Sequence, residues 1–529
     1  MNRRRRAGAA GLAAAVLLLL SGCFSGSFPL GPDGTLEPTA APDPAAPVDP
    51  ALAPYYEQDV AWQDCEDGFE CTTVTVPMDW EDPAGADIEV AMVRHRATGD
   101  RIGSLFMNPG GPGASGYDYV RDYLDYFFSP ELIERFDIVG WDPRGVGRTT
   151  PVTCYTDPDD IEEFLYGVPE HDWRTEPEAY AAELDAAGRD YAEACAEGTG
   201  EVLGYIDTGS TVRDLDLLRA LVGDPKLHYI GFSYGTEIGQ RYIAEFPEHV
   251  GRIVLDGVTD VSLPLFDLVL EQNIGFERAL TNYVTLCPEL FGSDCPFTGS
   301  TARDLARING IVTRYAEQPI PSTVPGDDRV MDGWVVNTAI NDALYSQSLW
   351  PDLNELFREL EATPPSTEMA FTLADEYYGF IPGVGYADNF FDAFLAISCL
   401  DAPVERDPAV LEEQAERLRE AAPTTWIDGP VMPDVICGNW LYPPRAPDPE
   451  PVTGEGVPPV LVVSTTGDPA TPYEWGVRVA ERLESGVLVS VHAEGHTAYS
   501  AWGDRCVVST VDDYLIEGRA PTSDPNCGA

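Results

Sequence analysis

Ser233 lies in Gly231-Phe232-Ser233-Tyr234-Gly235, directly after the apolar run Leu227-His228-Tyr229-Ile230 and before a segment with helical spacing. Strand, tight turn and helix are the setting in which a G-x-S-x-G serine is pushed out on strained backbone as a nucleophile. Side chains at Gly231 and Gly235 would collide with neighbouring elements of so tight a turn. A serine hydroxyl is a poor nucleophile at neutral pH, so it needs a histidine within hydrogen-bond reach and a carboxylate to orient that histidine. Six histidines are present. Where this turn occurs, acid and histidine follow the serine in chain order, which sets aside His95, His171 and His228. His249 falls just past the expected nucleophile helix, and His492 ends the last expected strand. His496, in Ala493-Glu494-Gly495-His496-Thr497, sits in the loop after that strand and is the expected base. Asp468 closes Val462-Val463-Ser464-Thr465-Thr466-Gly467-Asp468, the loop after the preceding strand, and is the expected acid.

Attack by Ser233 would create an oxyanion that needs preorganised backbone NH donors. Tyr234, next to the nucleophile, is placed to give one. The second is expected from Asn108-Pro109-Gly110-Gly111-Pro112-Gly113, with Gly111 nominated and Gly110 the near alternative. That loop lacks the Lys-Ser/Thr ending of a phosphate-binding loop. Trp141-Asp142-Pro143-Arg144-Gly145-Val146-Gly147 carries only half of a dinucleotide fingerprint, so it reads as a structural turn braced by Asp142 and Arg144.

Elements to position these residues are visible as short apolar, β-branched runs at 88–93, 104–107, 136–141, 227–231, 252–255, 460–464 and 487–491. Alternation with helical patterns predicts an α/β fold with a largely parallel sheet covered on both faces. In the nucleophile helix Ile238, Tyr242, Ile243 and Phe246 are spaced to bury one face. From about 262 to 454 the strand signal gives way to amphipathic helices, which predicts a helical lid over the strands' C-terminal ends.

The 529 residues are 44% hydrophobic and 23% charged, enough for a large core. There are 32 Lys+Arg against 89 Asp+Glu, a formal charge of -57, and Lys226 is the only lysine. Nucleic-acid binding needs clustered cations, so it is excluded as an expectation. Residues 3–6 are arginines, 7–20 are apolar and too few to span a bilayer comfortably, and Leu20-Ser21-Gly22-Cys23 follows. This reads as a lipoprotein signal peptide over 1–22, with Cys23 lipidated and a Pro/Ala-rich tether over 23–54. Ten further cysteines suit an oxidising compartment. Neighbours along the chain are expected to pair: Cys65 with Cys71, Cys154 with Cys195, Cys287 with Cys295, Cys399 with Cys437, and Cys506 with Cys527. No CxxC or HExxH pattern points to a metal, and no cofactor is expected.

NPGGPG at Asn108, WDPRGVGRT at Trp141, GFSYGT at Gly231, GDPATP at Gly467 and EGHT at Glu494 resemble the secreted α/β-hydrolase peptidases related to prolyl iminopeptidase. The resemblance runs from about residue 55 to the C-terminus and is strongest to the tripeptidyl aminopeptidases of high-GC Gram-positive bacteria. It implies an α/β-hydrolase core over 55–261 and 455–529, a helical cap over 262–454, and a Ser233, Asp468, His496 triad. The implied activity is release of short peptides, tripeptides for this branch, from a free N-terminus. Asn108 stands where prolyl iminopeptidases usually begin the loop with His, which speaks against single-proline release. A free amine needs an acidic partner, and Asp401 in the cap is nominated. Alternatives are a carboxylesterase or lipase of the same fold, and a non-catalytic lipid-anchored binding protein. The expected location is the extracellular face of the cell membrane, with release from it as the variant; oligomeric state is not legible.

Overall fold

The computed structural model describes residues 50–66, 68–427, 432–445 and 449–528. The expected signal peptide, Cys23 and most of the tether lie outside the described residues. Nine strands form one sheet: β1 (Gln63–Glu66), β2 (Phe69–Pro77), β3 (Asp87–His95), β4 (Gly103–Asn108), β5 (Phe136–Trp141), β6 (Leu227–Phe232), β7 (Val250–Asp256), β8 (Val460–Gly467) and β9 (Gly486–Glu494). Their spatial order is β1-β2-β3-β5-β4-β6-β7-β8-β9. The first three pairings are antiparallel and those from β5 to β9 are parallel. Every residue of β4 and β5 is buried, as a parallel sheet with helices on both faces requires.

All seven strands expected from apolar runs are present. The edge hairpin β1–β2 was not anticipated, because Phe69–Pro77 alternates only partly and carries three threonines. The helix Gly235–Glu245 buries Ile238, Tyr242 and Ile243, and Phe246 caps its end half-buried. The reason is spacing: these positions fall on the stripe that faces β6 and β7.

Between β7 and β8 the chain is mainly helical, from Leu265–Phe291 to Met432–Gly438, with two pairs of two-residue strands. These helices enclose their own apolar core around Leu280, Tyr283, Trp350 and Phe357, separate from the two cores on the faces of the sheet. A second excursion leaves between β5 and β6, where helices Pro158–Tyr166 and Pro177–Thr199 border a cleft that the core loops and the helices between β7 and β8 also line.

The five disulfides join Cys65–Cys71, Cys154–Cys195, Cys287–Cys295, Cys399–Cys437 and Cys506–Cys527. Cys399–Cys437 ties the helix Phe390–Asp401 to Met432–Gly438, beside the cleft. The turn after β5 is a brace. Arg144 is fully buried, grips Asp214 through two nitrogens and reaches the carbonyls of Pro77, Met78 and Tyr205. Asp142 accepts from Ser115 Oγ and the Arg148 amide.

Candidate functional site

Ser233 sits at φ +53°, a left-handed conformation that few non-glycine residues adopt. The strain is held by a hydrogen bond from its amide to the Asp256 carbonyl, 2.9 Å, at the end of β7. Both flanking glycines are sterically required. A Cβ on Gly231 would lie 2.3 Å from the Gly235 carbonyl oxygen, and one on Gly235 would lie 2.6 Å from that of Asn108.

His496 follows β9. Its Nδ1 lies 2.9 Å from both Asp468 oxygens, and a carboxylate only accepts, so Nδ1 carries the proton and Nε2 offers a lone pair. Nε2 is buried and meets no partner, Ser233 included, although both residues line one cleft. In ligand-free hydrolytic sites such contacts are often open and close on substrate binding. Asp468 is fully buried and also accepts from the amides of Ala470 and Thr471, from Thr471 Oγ1 and from the Thr497 amide. Burial alone would lower the imidazole's pKa, but the Asp468 charge and hydrogen bond, with Asp256 behind, outweigh it and hold it above its ordinary value.

Asp256 joins the two halves. Its carbonyl takes the Ser233 amide, while its carboxylate takes the amides of Ala498 and Tyr499 just past His496. Burial pushes that carboxyl up to about 6. The cap also touches the imidazole: the Tyr345 carbonyl accepts the His496 amide at 2.8 Å, and the Tyr345 ring meets the imidazole edge-on at 5.6 Å. Thr471 and Tyr345 were not found in the sequence. Thr471 could have been suspected from its place three residues after Asp468, where a short turn brings a hydroxyl back to a carboxylate.

Gly110 and Gly111 both have φ near +105°; Gly110 packs on the nucleophile turn, directly behind Ser233 Cβ, and Gly111 packs against its own loop and the Phe390 ring. The Gly110 amide is taken by Asn108 Oδ1 at 3.0 Å. Among the described residues, no acceptor meets the amides of Gly111 or Tyr234. Gly111 is therefore the better of the two nominated donors.

Asp401 ends the helix Phe390–Asp401 and lines the cleft. It accepts from the Thr208 amide at 2.9 Å and from Thr208 Oγ1 at 2.5 Å, and that hydroxyl also contacts the Tyr234 hydroxyl. Glu237, paired with Arg241 at 2.7 Å, lies on the same wall. Burial first, then the Glu237 charge, raise the Asp401 carboxyl to about 7. The cleft has a volume of about 3450 Å³ and is walled by core loops and cap helices together.

A mostly parallel sheet, a strained serine turn after its central strand, and a buried His–Asp pair after the last two strands define an α/β-type hydrolase. The family model for the alpha/beta hydrolase fold matches residues 103–297, and the model described as TAP-like protein matches residues 423–527. Serine protease Hip1 of Mycobacterium tuberculosis is 34% identical over 90% of this chain and 92% of its own. Carboxylesterase B of the same species is 33% identical over 96% and 97%, and tripeptidyl aminopeptidase of Streptomyces lividans 30% identical over 88% and 86%. The chain belongs to this family of TAP-like α/β-hydrolases.

Proposed function

We propose that the protein is a serine exopeptidase that cleaves peptides near a free N-terminus and releases short N-terminal fragments, tripeptides by likeness to its relatives. One observation carries this reading: the cleft lined by Ser233 and by His496, whose Nε2 has no partner, is also lined by Asp401 and by Glu237 of the nucleophile helix. Its volume of about 3450 Å³ exceeds the roughly 300–1,000 Å³ usual for small-molecule sites and suits a polypeptide.

Ser233 Oγ attacks the scissile carbonyl carbon as His496 Nε2 takes its proton. Asp468 keeps the imidazole in the required tautomer and stabilises its positive form. The oxyanion is received by the Tyr234 and Gly111 amides. His496 then protonates the departing amine, the peptide bond breaks, and an acyl-Ser233 ester remains until water, deprotonated by His496, releases the short peptide. Asp401, with Glu237, holds the substrate ammonium.

Carboxylesterase B among the relatives supports a second reading, an esterase. The two separate on incubation with a mixed peptide library and its N-acetylated copy, followed by mass spectrometry. Exopeptidase action predicts fragments of uniform short length from free-amine peptides only. Equal cleavage of both sets, or of esters alone, refutes it. An acylated Cys23 would hold the enzyme at the outer face of the cell membrane. Among the described residues, no helix is long and apolar enough to cross a membrane.

A further inference from the structure

The cap helix Gly333–Leu344 turns Trp334, Asn337, Thr338, Asn341 and Asp342 to the cleft, followed at its C-cap by Tyr345. Their spacing of three and four places them on one face. Asp342 Oδ2, Asn337 Oδ1 and Asn341 Oδ1 are buried at the cleft wall and meet no hydrogen-bond donor. Asp342 is only 9% exposed and Asn337 only 7%. An unpaired buried carboxylate destabilises a fold, and its retention calls for a role. Among the described residues, no cation answers it. The charge acting on it is Glu376, of the same sign, and burial with that repulsion raises its carboxyl to about 7.

Two carboxylates and two amide oxygens supply acceptors, while Trp334, Tyr345 and Tyr377 supply aromatic faces to the same cleft. Such a set matches a cation that carries several NH donors. Tyr345 lies three residues beyond Asp342 and holds the His496 amide, so Asp342 sits about 4.5 Å along the helix axis from that anchor, just under one turn. Glu237, in the first turn of the nucleophile helix, and Asp401 beside it line another part of the cleft, and are already matched to the substrate ammonium.

We propose that Asp342, with Asn337, Asn341 and Glu376, forms a specificity pocket for the side-chain cation of a lysine or arginine near the scissile bond of the peptide substrate. The inference rests on the exopeptidase reading. The pocket's ionic partner is the substrate itself, which explains why the protein leaves these acceptors unmatched.

The test uses the full chain at pH 8, where Asp342 is ionised. Peptides with a free N-terminus carry lysine or norleucine in turn at each position from three before to two after the cleaved bond. At one position the wild type should prefer lysine by tenfold or more in kcat/KM. That ratio should fall to near one in Asp342→Asn and partway in Glu376→Gln. The melting temperature of Asp342→Asn should equal or exceed that of the wild type, since a purely structural carboxylate would lower it when neutralised. No lysine preference at any position, or a ratio that persists in Asp342→Asn, overturns the pocket. Equal loss on lysine and norleucine peptides also overturns it, assigning Asp342 to the terminal amine or to folding. Failure of the wild type to cleave any peptide refutes the exopeptidase reading and removes the basis of this one.

Discussion

Replacing Asp468 by Asn changes which atom of His496 holds the proton, and beyond that gives up one long bond, from the Thr497 amide to Oδ2 at 3.3 Å, while the Thr471 hydroxyl can turn to accept instead of donate. Oδ1 of the new amide can still accept from the Ala470 and Thr471 amides, which now meet Asp468 Oδ1 at 2.9 and 2.8 Å. The NH2 then takes the place of Oδ2, 2.9 Å from His496 Nδ1, and donates to it. The proton moves to Nε2, the atom that must accept from Ser233. For a wrong tautomer in an intact triad the loss in kcat is roughly 10⁴-fold, about 5 kcal/mol of barrier, with KM little changed. The pH profile adds a second readout. In the wild type the Asp468 charge outweighs burial and raises the imidazole's pKa, and activity requires the neutral base, so it grows as pH rises through that raised value. Without the charge, burial dominates and the residual activity should appear at lower pH. Steady-state kinetics from pH 5 to 9, with circular dichroism to verify folding, decide the matter. A folded variant within tenfold of wild-type kcat, or an unmoved pH profile, refutes the assigned role of Asp468.

A peptide ammonium needs an ionised Asp401, whose carboxyl is raised to about 7, chiefly by burial. KM for free-amine peptides should therefore fall as pH rises through about 7, and this dependence should vanish in Asp401→Asn; a pH-independent KM in the wild type counts against the assignment. A Cβ at Gly110 would lie 2.6 Å from the Phe232 carbonyl oxygen and 2.9 Å from Ser233 Cβ, at φ +105°, so Gly110→Ala should lose at least 100-fold in kcat and melt earlier. The exposed Gly456, φ +75° with open space around it, is the control: Gly456→Ala should cost about 1–2 kcal/mol of stability, from its left-handed backbone, with kcat unchanged.

The sheet was legible because its parallel strands are buried on both faces and therefore appear as largely apolar runs, as in residues 460–463 at the start of Val460–Gly467. The candidate site was legible where chemistry coincides with local steric demand: Gly231 and Gly235 around Ser233, and Asp468 and His496 each directly after a buried strand. Residues acting through distant contacts left no such trace. Tyr345 reaches the His496 loop across about 150 positions of sequence, and the cleft border at Pro158–Tyr166 is set by tertiary packing, so neither follows from periodicity. Asp342 looks like any helical acid in the sequence. Only its burial without a partner distinguishes it.

Activation of the Ser233 hydroxyl is most directly tested by a fluorophosphonate, which phosphonylates, with loss of fluoride, a serine whose proton a neighbouring base can remove. Intact-mass and peptide mass spectrometry should show one adduct, on Ser233, formed rapidly by the wild type, thousands-fold more slowly by His496→Ala, and not at all by Ser233→Ala. No adduct on the folded wild type, or rapid labelling that survives the loss of His496, would contradict the account.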